Sequence, residues 1–247
     1  MIFRLFVLGA SFSSLALSAE PAISVNPATM PATGTIDKRF QSFNTEMLEV
    51  TGGRFWKPYK DVKPGSTAGG PGADLYGYRP PIDLTQPRLR KLAAALGPMY
   101  LRVSGTWANT FFQDTDGRVP DTPPKGFKGV LTRQQWKGVV DFARAANAEL
   151  MVSFATSEGT RDAAGVWTLG QARAFLAYTK SIGGRIAAAE FMNEPNVADR
   201  GGAPKGYDAG AYARDVAVFR AFLKQDAPDI VFLGLVRSWR VARSRSR

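Results

Sequence analysis

The amino-acid sequence predicts an α/β protein, an incomplete (β/α)8 barrel of about five strands that stops before the late strands. Three observations carry this. Short apolar runs suited to buried strands, at residues 99–103, 150–154, 186–192 and 230–233, alternate with segments of helical period. Strand and helix follow one another in turn, which implies a parallel sheet with right-handed crossovers. The run at 186–192 stops in Asn193-Glu194-Pro195-Asn196, leaving an amide and a carboxylic acid side by side where a buried strand emerges. In parallel α/β barrels such strand ends carry the chemistry. Pro195 lacks an N–H and biases Glu194 toward extended backbone, so the strand is expected to end there.

The elements follow in order. Residues 1–19 read as an export signal: Arg4, an apolar segment from Leu5 to Leu17, then small Ser18 and Ala19. The apolar segment is short for a bilayer span, and the mature protein is expected to be secreted or periplasmic. Residues 20–38, rich in Pro, Ala and Thr, read as a tether, and residues 39–235 as the partial catalytic barrel. Alternation along Phe40-Gln-Ser-Phe-Asn-Thr-Glu-Met-Leu48 predicts the first strand. Residues 51–83 read as a long functional loop with Trp56, Tyr59, Tyr76 and Tyr78.

Residues 86–96 predict a helix with Leu89, Leu92, Ala93 and Leu96 on its apolar face. The strand at 99–103 follows, then a loop rich in Pro, Gly and Asp at 114–129. Thr132 caps a helix reaching about Asn147, with Trp136, Val139, Val140 and Ala143 inward. The strand at 150–154, a helix at 169–182 closed by Gly183-Gly184, and the strand at 186–192 come next. A helix at 208–225 and a strand at 230–233 complete the pattern.

Residues 236–247 share no period with what precedes them. They read as a disordered basic tail or as out-of-frame translation replacing a lost second half. The second reading accords with the raw hydrophobic edge that a barrel without its last strands would expose.

Composition narrows the chemistry. With 45% hydrophobic residues a true core is possible. There is no cysteine and no histidine, which removes disulfides, thiolate metal sites, the usual zinc sites and the Ser-His-Asp and Cys-His arrangements. Acid–base chemistry falls to carboxylates, Lys or Tyr. The formal charge is +11, and five arginines of the tail account for part of it, leaving +6. That suits a protein that meets acidic polymers. Groove-reading motifs are absent, so no nucleic-acid partner is expected.

Glycosidic cleavage commonly uses two carboxyl groups, one protonating the leaving oxygen and one acting as nucleophile or base. Glu194 fits the acid, since a carboxyl at a buried strand end can hold its proton near neutral pH. Asn193 fits a donor to a sugar hydroxyl. The alternative for Glu194 is a cap on the following segment.

Ala189-Glu-Phe-Met-Asn-Glu-Pro-Asn196 resembles the acid/base motif of retaining barrel glycosidases. Residues 87–106, containing Leu101-Arg-Val-Ser-Gly-Thr106, resemble the helix–strand segment of heparanase and its bacterial relatives, and Phe40-Gln-Ser-Phe-Asn-Thr-Glu46 resembles the opening strand. Together these look like glycoside hydrolase family 79, the heparanase and β-glucuronidase group, over about residues 36–234.

The resemblance implies a retaining hydrolase of glucuronides or acidic polysaccharides that needs no cofactor or metal. Glu194 would be its general acid/base and Asn193 its contact to the sugar 2-hydroxyl. Glu46, Thr106 and Trp107 would contact substrate, with Asn109 as a neighbour. Glu190 also matches, but four extended residues from Glu194 span about 13 Å, while retaining enzymes hold their carboxyls about 5 Å apart. Glu190 is therefore expected to be a structural residue of the barrel interior. The family's nucleophile would lie past residue 247, so the chain is expected to be inactive alone. The competing readings are a non-catalytic saccharide-binding module and a basic polyanion binder.

Overall fold

The computed structural model describes residues 24–62, 75–105, 108–198 and 202–234. The expected export signal, the tip of the aromatic loop and the basic tail lie outside the described residues. The chain divides after Ile36 into two units. In the first, among the described residues, a 3-10 turn (Pro27–Thr29) is capped by Asn26, whose side chain accepts from the Ala28 N–H at 3.2 Å.

The second unit is a mixed α/β structure. In chain order it contains β1 (Ser42–Glu46), α1 (Met47–Thr51), β2 (Gly53–Trp56), β3 (Tyr76–Arg79), α2 (Pro87–Ala95), β4 (Met99–Ser104) and β5 (Thr110–Gln113). It continues with β6 (Gly129–Thr132), α3 (Arg133–Ala145), β7 (Ala148–Ser153), α4 (Gly170–Ser181), β8 (Ile186–Glu190), α5 (Ala209–Asp226) and β9 (Val231–Leu233).

The central sheet has the order β1-β4-β7-β8-β9, and every pairing in it is parallel. Spatial order thus follows chain order without a reversal. The sheet is open among the described residues, with β1 and β9 at its edges.

Register sorts the side chains onto two faces. One face brings Leu101, Val103, Leu150, Val152 and Ala189 into the core, where they meet Trp136 and Val139 of α3, Phe175 of α4, and Phe219 and Phe222 of α5. The opposite face carries Asn44, Glu46, Arg102, Ser104, Ser153 and Glu190. A strand with one apolar and one polar face explains why β4 and β7 alternate while the alanine-rich β8 reads as a continuous run.

α3 starts as its sequence dictates. The Thr132 hydroxyl accepts from the Gln135 N–H at 3.1 Å, and the Gln135 side chain accepts from the Thr132 N–H at 2.9 Å. Trp136, Val139, Val140 and Ala143 are buried as expected, and the Trp136 indole N–H donates to Thr179 at 2.8 Å.

Three expectations are corrected. The long loop is not structureless, because β2 and β3 pair antiparallel within it. Phe55, buried between exposed Arg54 and Trp56, supplies the alternation that anchors this arm. A second small sheet, the parallel pair β5 and β6, also escaped the reading, because four-residue strands carry too little periodicity. On α2 only Ala93 is buried, while Leu92 and Leu96 remain exposed. That helix belongs to the crossover leaving an edge strand, where less of its surface is covered.

Candidate active site

The polar face of the sheet converges at the C-terminal ends of its strands. Arg102, in the middle of β4, is the hub. Its Nη1 donates to Asn44 Oδ1 at 2.5 Å, and its Nη2 donates to Asn193 Oδ1 at 2.9 Å and to Glu190 Oε1. Glu190 is 2% exposed. The same oxygen also accepts from Ser104 and from Ser153, the latter at 2.5 Å. A buried carboxylate of this kind persists because it is paired and hydrogen-bonded. Its Oε2 is also buried and finds no hydrogen-bond partner among the described residues. Glu190 therefore sits buried in the polar sheet face, paired with Arg102.

The spacing used for Glu190 and Glu194 needs correction. β8 ends at Glu190, and the chain turns at once instead of extending to Met192. Glu194 has φ 48° and ψ 55°, left-handed backbone instead of extended, and it opens the 3-10 turn Pro195–Val197. The ring of Pro195 disfavours right-handed helical backbone at Glu194. The left-handed well is the compact alternative that redirects the chain. Arg102 then bridges Asn193 to Glu190, which an extended strand would have kept apart.

Glu46, at the end of β1, completes the group. Its Oε1 accepts from Asn44 Nδ2 at 3.3 Å, and its backbone N–H donates to Glu49 at 3.0 Å. Its Oε2 is buried without a hydrogen-bond partner among the described residues. The carboxyl lies directly over Gly105, where any Cβ would overlap it. Gly105 has φ +104°, a conformation open to glycine.

Burial pushes the Glu46 carboxyl above its ordinary range. The Asn44 hydrogen bond and the Arg102 charge pull it down, while Glu49 and Glu194 push it further up. Glu194 thus lies near enough for its charge to act on Glu46. A carboxyl raised in the fold contributes stability that is present below the unfolded value, 4.5, and is lost as pH rises through the folded value. Glu46→Gln should match wild type in urea unfolding below that pH and exceed it near neutrality. Equal stability at both pH values would contradict the burial assigned to this group.

Two further sequence candidates, Thr106 and Trp107, lie outside the described residues. Asn109 is 4% exposed, and its Oδ1 accepts from the Thr156 N–H at 2.7 Å, so it ties two loops together. Beside Asn193 a small crevice, with room for about one water, is lined by Gly105, Ala108, Ser153 and Thr156. Asn44, Arg102, Ser104 and Ser153 were not singled out from the sequence. A charge inside the apolar run Met99-Tyr-Leu-Arg-Val103 was the available signal, because a half-buried Arg needs an acid nearby.

Among the described residues no three His, Cys, Asp or Glu side chains are grouped to hold a metal ion. No described helix is long and apolar enough to cross a membrane. Comparison with protein-family models and with curated proteins finds no match.

Proposed function

We propose that this chain is the acid/base-bearing part of a retaining glycoside hydrolase acting on glucuronides or uronic-acid polysaccharides, similar to the heparanase and β-glucuronidase group. In this reading the sheet forms five strands of a (β/α)8 barrel. Strand order that never reverses, with core helices against one face and a polar opposite face, supports a barrel wall. The observation that carries the functional reading is the meeting of Asn193, Glu194 and Glu46 at one end of that wall, organised by Arg102.

Glu194 gives its proton to the glycosidic oxygen as the C1–O bond breaks, then takes a proton from the water that releases the sugar. Asn193 turns its oxygen to Arg102 and offers its amide N–H to the 2-hydroxyl. Glu46, at the end of β1, serves as a sugar contact. The nucleophilic carboxylate belongs to a late barrel strand that has no counterpart among the described residues. Glu190 does not replace it, with one oxygen engaged by three donors.

Azide, a small external nucleophile, tests the reading. Its terminal nitrogen attacks C1 of phenyl β-glucuronide, the C1–O bond breaks, and the phenol leaves with the Glu194 proton, giving the α-glucuronosyl azide. Azide-dependent release of phenol is the expected result. A second reading, a saccharide-binding module without catalysis, draws on the engagement of both Glu190 and Glu46 by neighbouring side chains. Binding of the glucuronide with no azide-dependent release would favour that module. No binding at all would overturn both readings.

A further inference from the structure

The arm made by β2 and β3 has a face that the proposed chemistry does not use. Its register sets Arg54 opposite Tyr78 and Trp56 opposite Tyr76, so these four side chains share one face. Trp56 is 42% exposed and Tyr78 is 76% exposed. The Trp56 and Tyr76 rings lie 4.5 Å apart, tilted by 32°. The other face is the anchored one: Phe55 is 8% exposed, and the Lys57 side chain packs over Gly77.

The arm is fixed at its foot and along its length. The Ile82 N–H donates to Glu49 O at 2.8 Å, and Pro81 packs over Gly52. Lys57 N–H donates to Leu75 O at 2.8 Å, and Arg79 Nη1 donates to Trp56 O at 3.3 Å. Glu49 also holds the Glu46 N–H, so the arm rises from the end of β1 that carries the candidate site. Its described residues bear Arg54, Lys57, Lys60 and Arg79 against Asp61.

We propose that the Arg54, Trp56, Tyr76 and Tyr78 face is a platform for an extended acidic polysaccharide, with sugar rings stacking on the aromatic rings and a sugar carboxylate pairing with Arg54. The aromatic faces match the apolar C–H faces of pyranose rings, and the guanidinium matches a carboxylate in bidentate geometry. A single-stranded nucleic acid would also stack on such rings, but it carries a phosphate at every base and calls for a groove of cations along the ladder. One Arg among three aromatic rings fits a polymer of sparser charge. The sugar class rests on the function proposed above, while the platform itself rests on the arm alone.

Titrations of the full chain test this with three probes: a hexameric 1,4-linked oligoglucuronate, a neutral cello-oligosaccharide of equal length, and oligothymidylate. Trp56→Ala and Tyr78→Ala should each weaken oligoglucuronate binding by about tenfold, the loss of one stacked ring. Arg54→Gln should weaken the oligoglucuronate, flatten its salt dependence and leave the neutral oligosaccharide unchanged. None of the three should alter binding of phenyl β-glucuronide, which has no second sugar to lay on the arm. Oligoglucuronate binding that depends on the arm, with no phenyl glucuronide binding, would sink the proposed active site and leave the platform standing. Unchanged oligoglucuronate affinity in the Trp56→Ala, Tyr78→Ala double variant would overturn the platform, as would tighter binding of oligothymidylate.

Discussion

Asp215→Ala should destabilise the protein by about 3–5 kcal/mol, the cost of leaving a buried charge without its partner. Asp215 on α5 and Arg161 are 0% and 3% exposed at their side chains, with Arg161 Nη1 donating to Asp215 Oδ2 at 2.6 Å. Tyr207 donates its hydroxyl to the same oxygen at 2.8 Å, and the Trp167 N–H donates to Oδ1 at 3.2 Å. Arg161 spends its other donors on Thr156 O, at 3.1 and 2.8 Å, and on Gly165 O at 2.9 Å, and it lies over the Tyr207 ring at 4.8 Å. Burial, reinforced by Asp215, pushes the Tyr207 hydroxyl far above its ordinary range, so it remains a donor.

Thr156 also meets Asn109, so this network ties together the loops that follow β4, β7 and β8. Loss of Asp215 should therefore loosen the mouth of the site as well as the fold. Asp215→Asn, which keeps an acceptor, should lose less. Urea unfolding measures both, and a loss below about 1 kcal/mol for Asp215→Ala would mean that water reaches Arg161.

Gly105→Ala should cost about 2–3 kcal/mol from backbone strain at positive φ, before any clash is counted. The new Cβ would also overlap the Glu46 carboxyl and drive it from its place. The two costs separate in a double-mutant cycle. Glu46→Ala removes the obstacle, so Gly105→Ala should be milder in that background, with a coupling of about 1 kcal/mol or more. Additive effects would show that the carboxyl can step aside freely, and Glu46 would then not be held for ligand contact.

The five main strands and their helices were legible because burial on one face writes itself as periodicity. Trp136, Val139, Val140 and Ala143 show this on α3, and the Thr132–Gln135 box marks its start. The two small sheets were not legible. β2 and β3 are stitched by backbone pairing across a stretch full of Gly and Pro, and only Phe55 among their side chains is buried. In the candidate site, Asn193 and Glu194 were singled out because a proline follows an apolar run there, and Glu46 only through the family resemblance. The hub was not. Arg102 meets Glu190 across 88 residues of chain and Asn193 across 91, and no local pattern encodes such a meeting. The left-handed turn at Glu194 was hidden for a related reason, since a proline forbids one backbone region without choosing between those that remain.

The central claim is that Glu194 hands a proton to a departing oxygen, and leaving-group dependence in the azide reaction tests it most directly. Phenol is a poor leaving group that needs the proton, whereas dinitrophenol departs without one. In Glu194→Gln, azide-dependent cleavage of phenyl β-glucuronide should fall by about 100-fold or more, while cleavage of the dinitrophenyl glucuronide stays near the wild-type rate. Equal loss on both substrates, or loss on neither, would contradict the assignment of Glu194 as the acid.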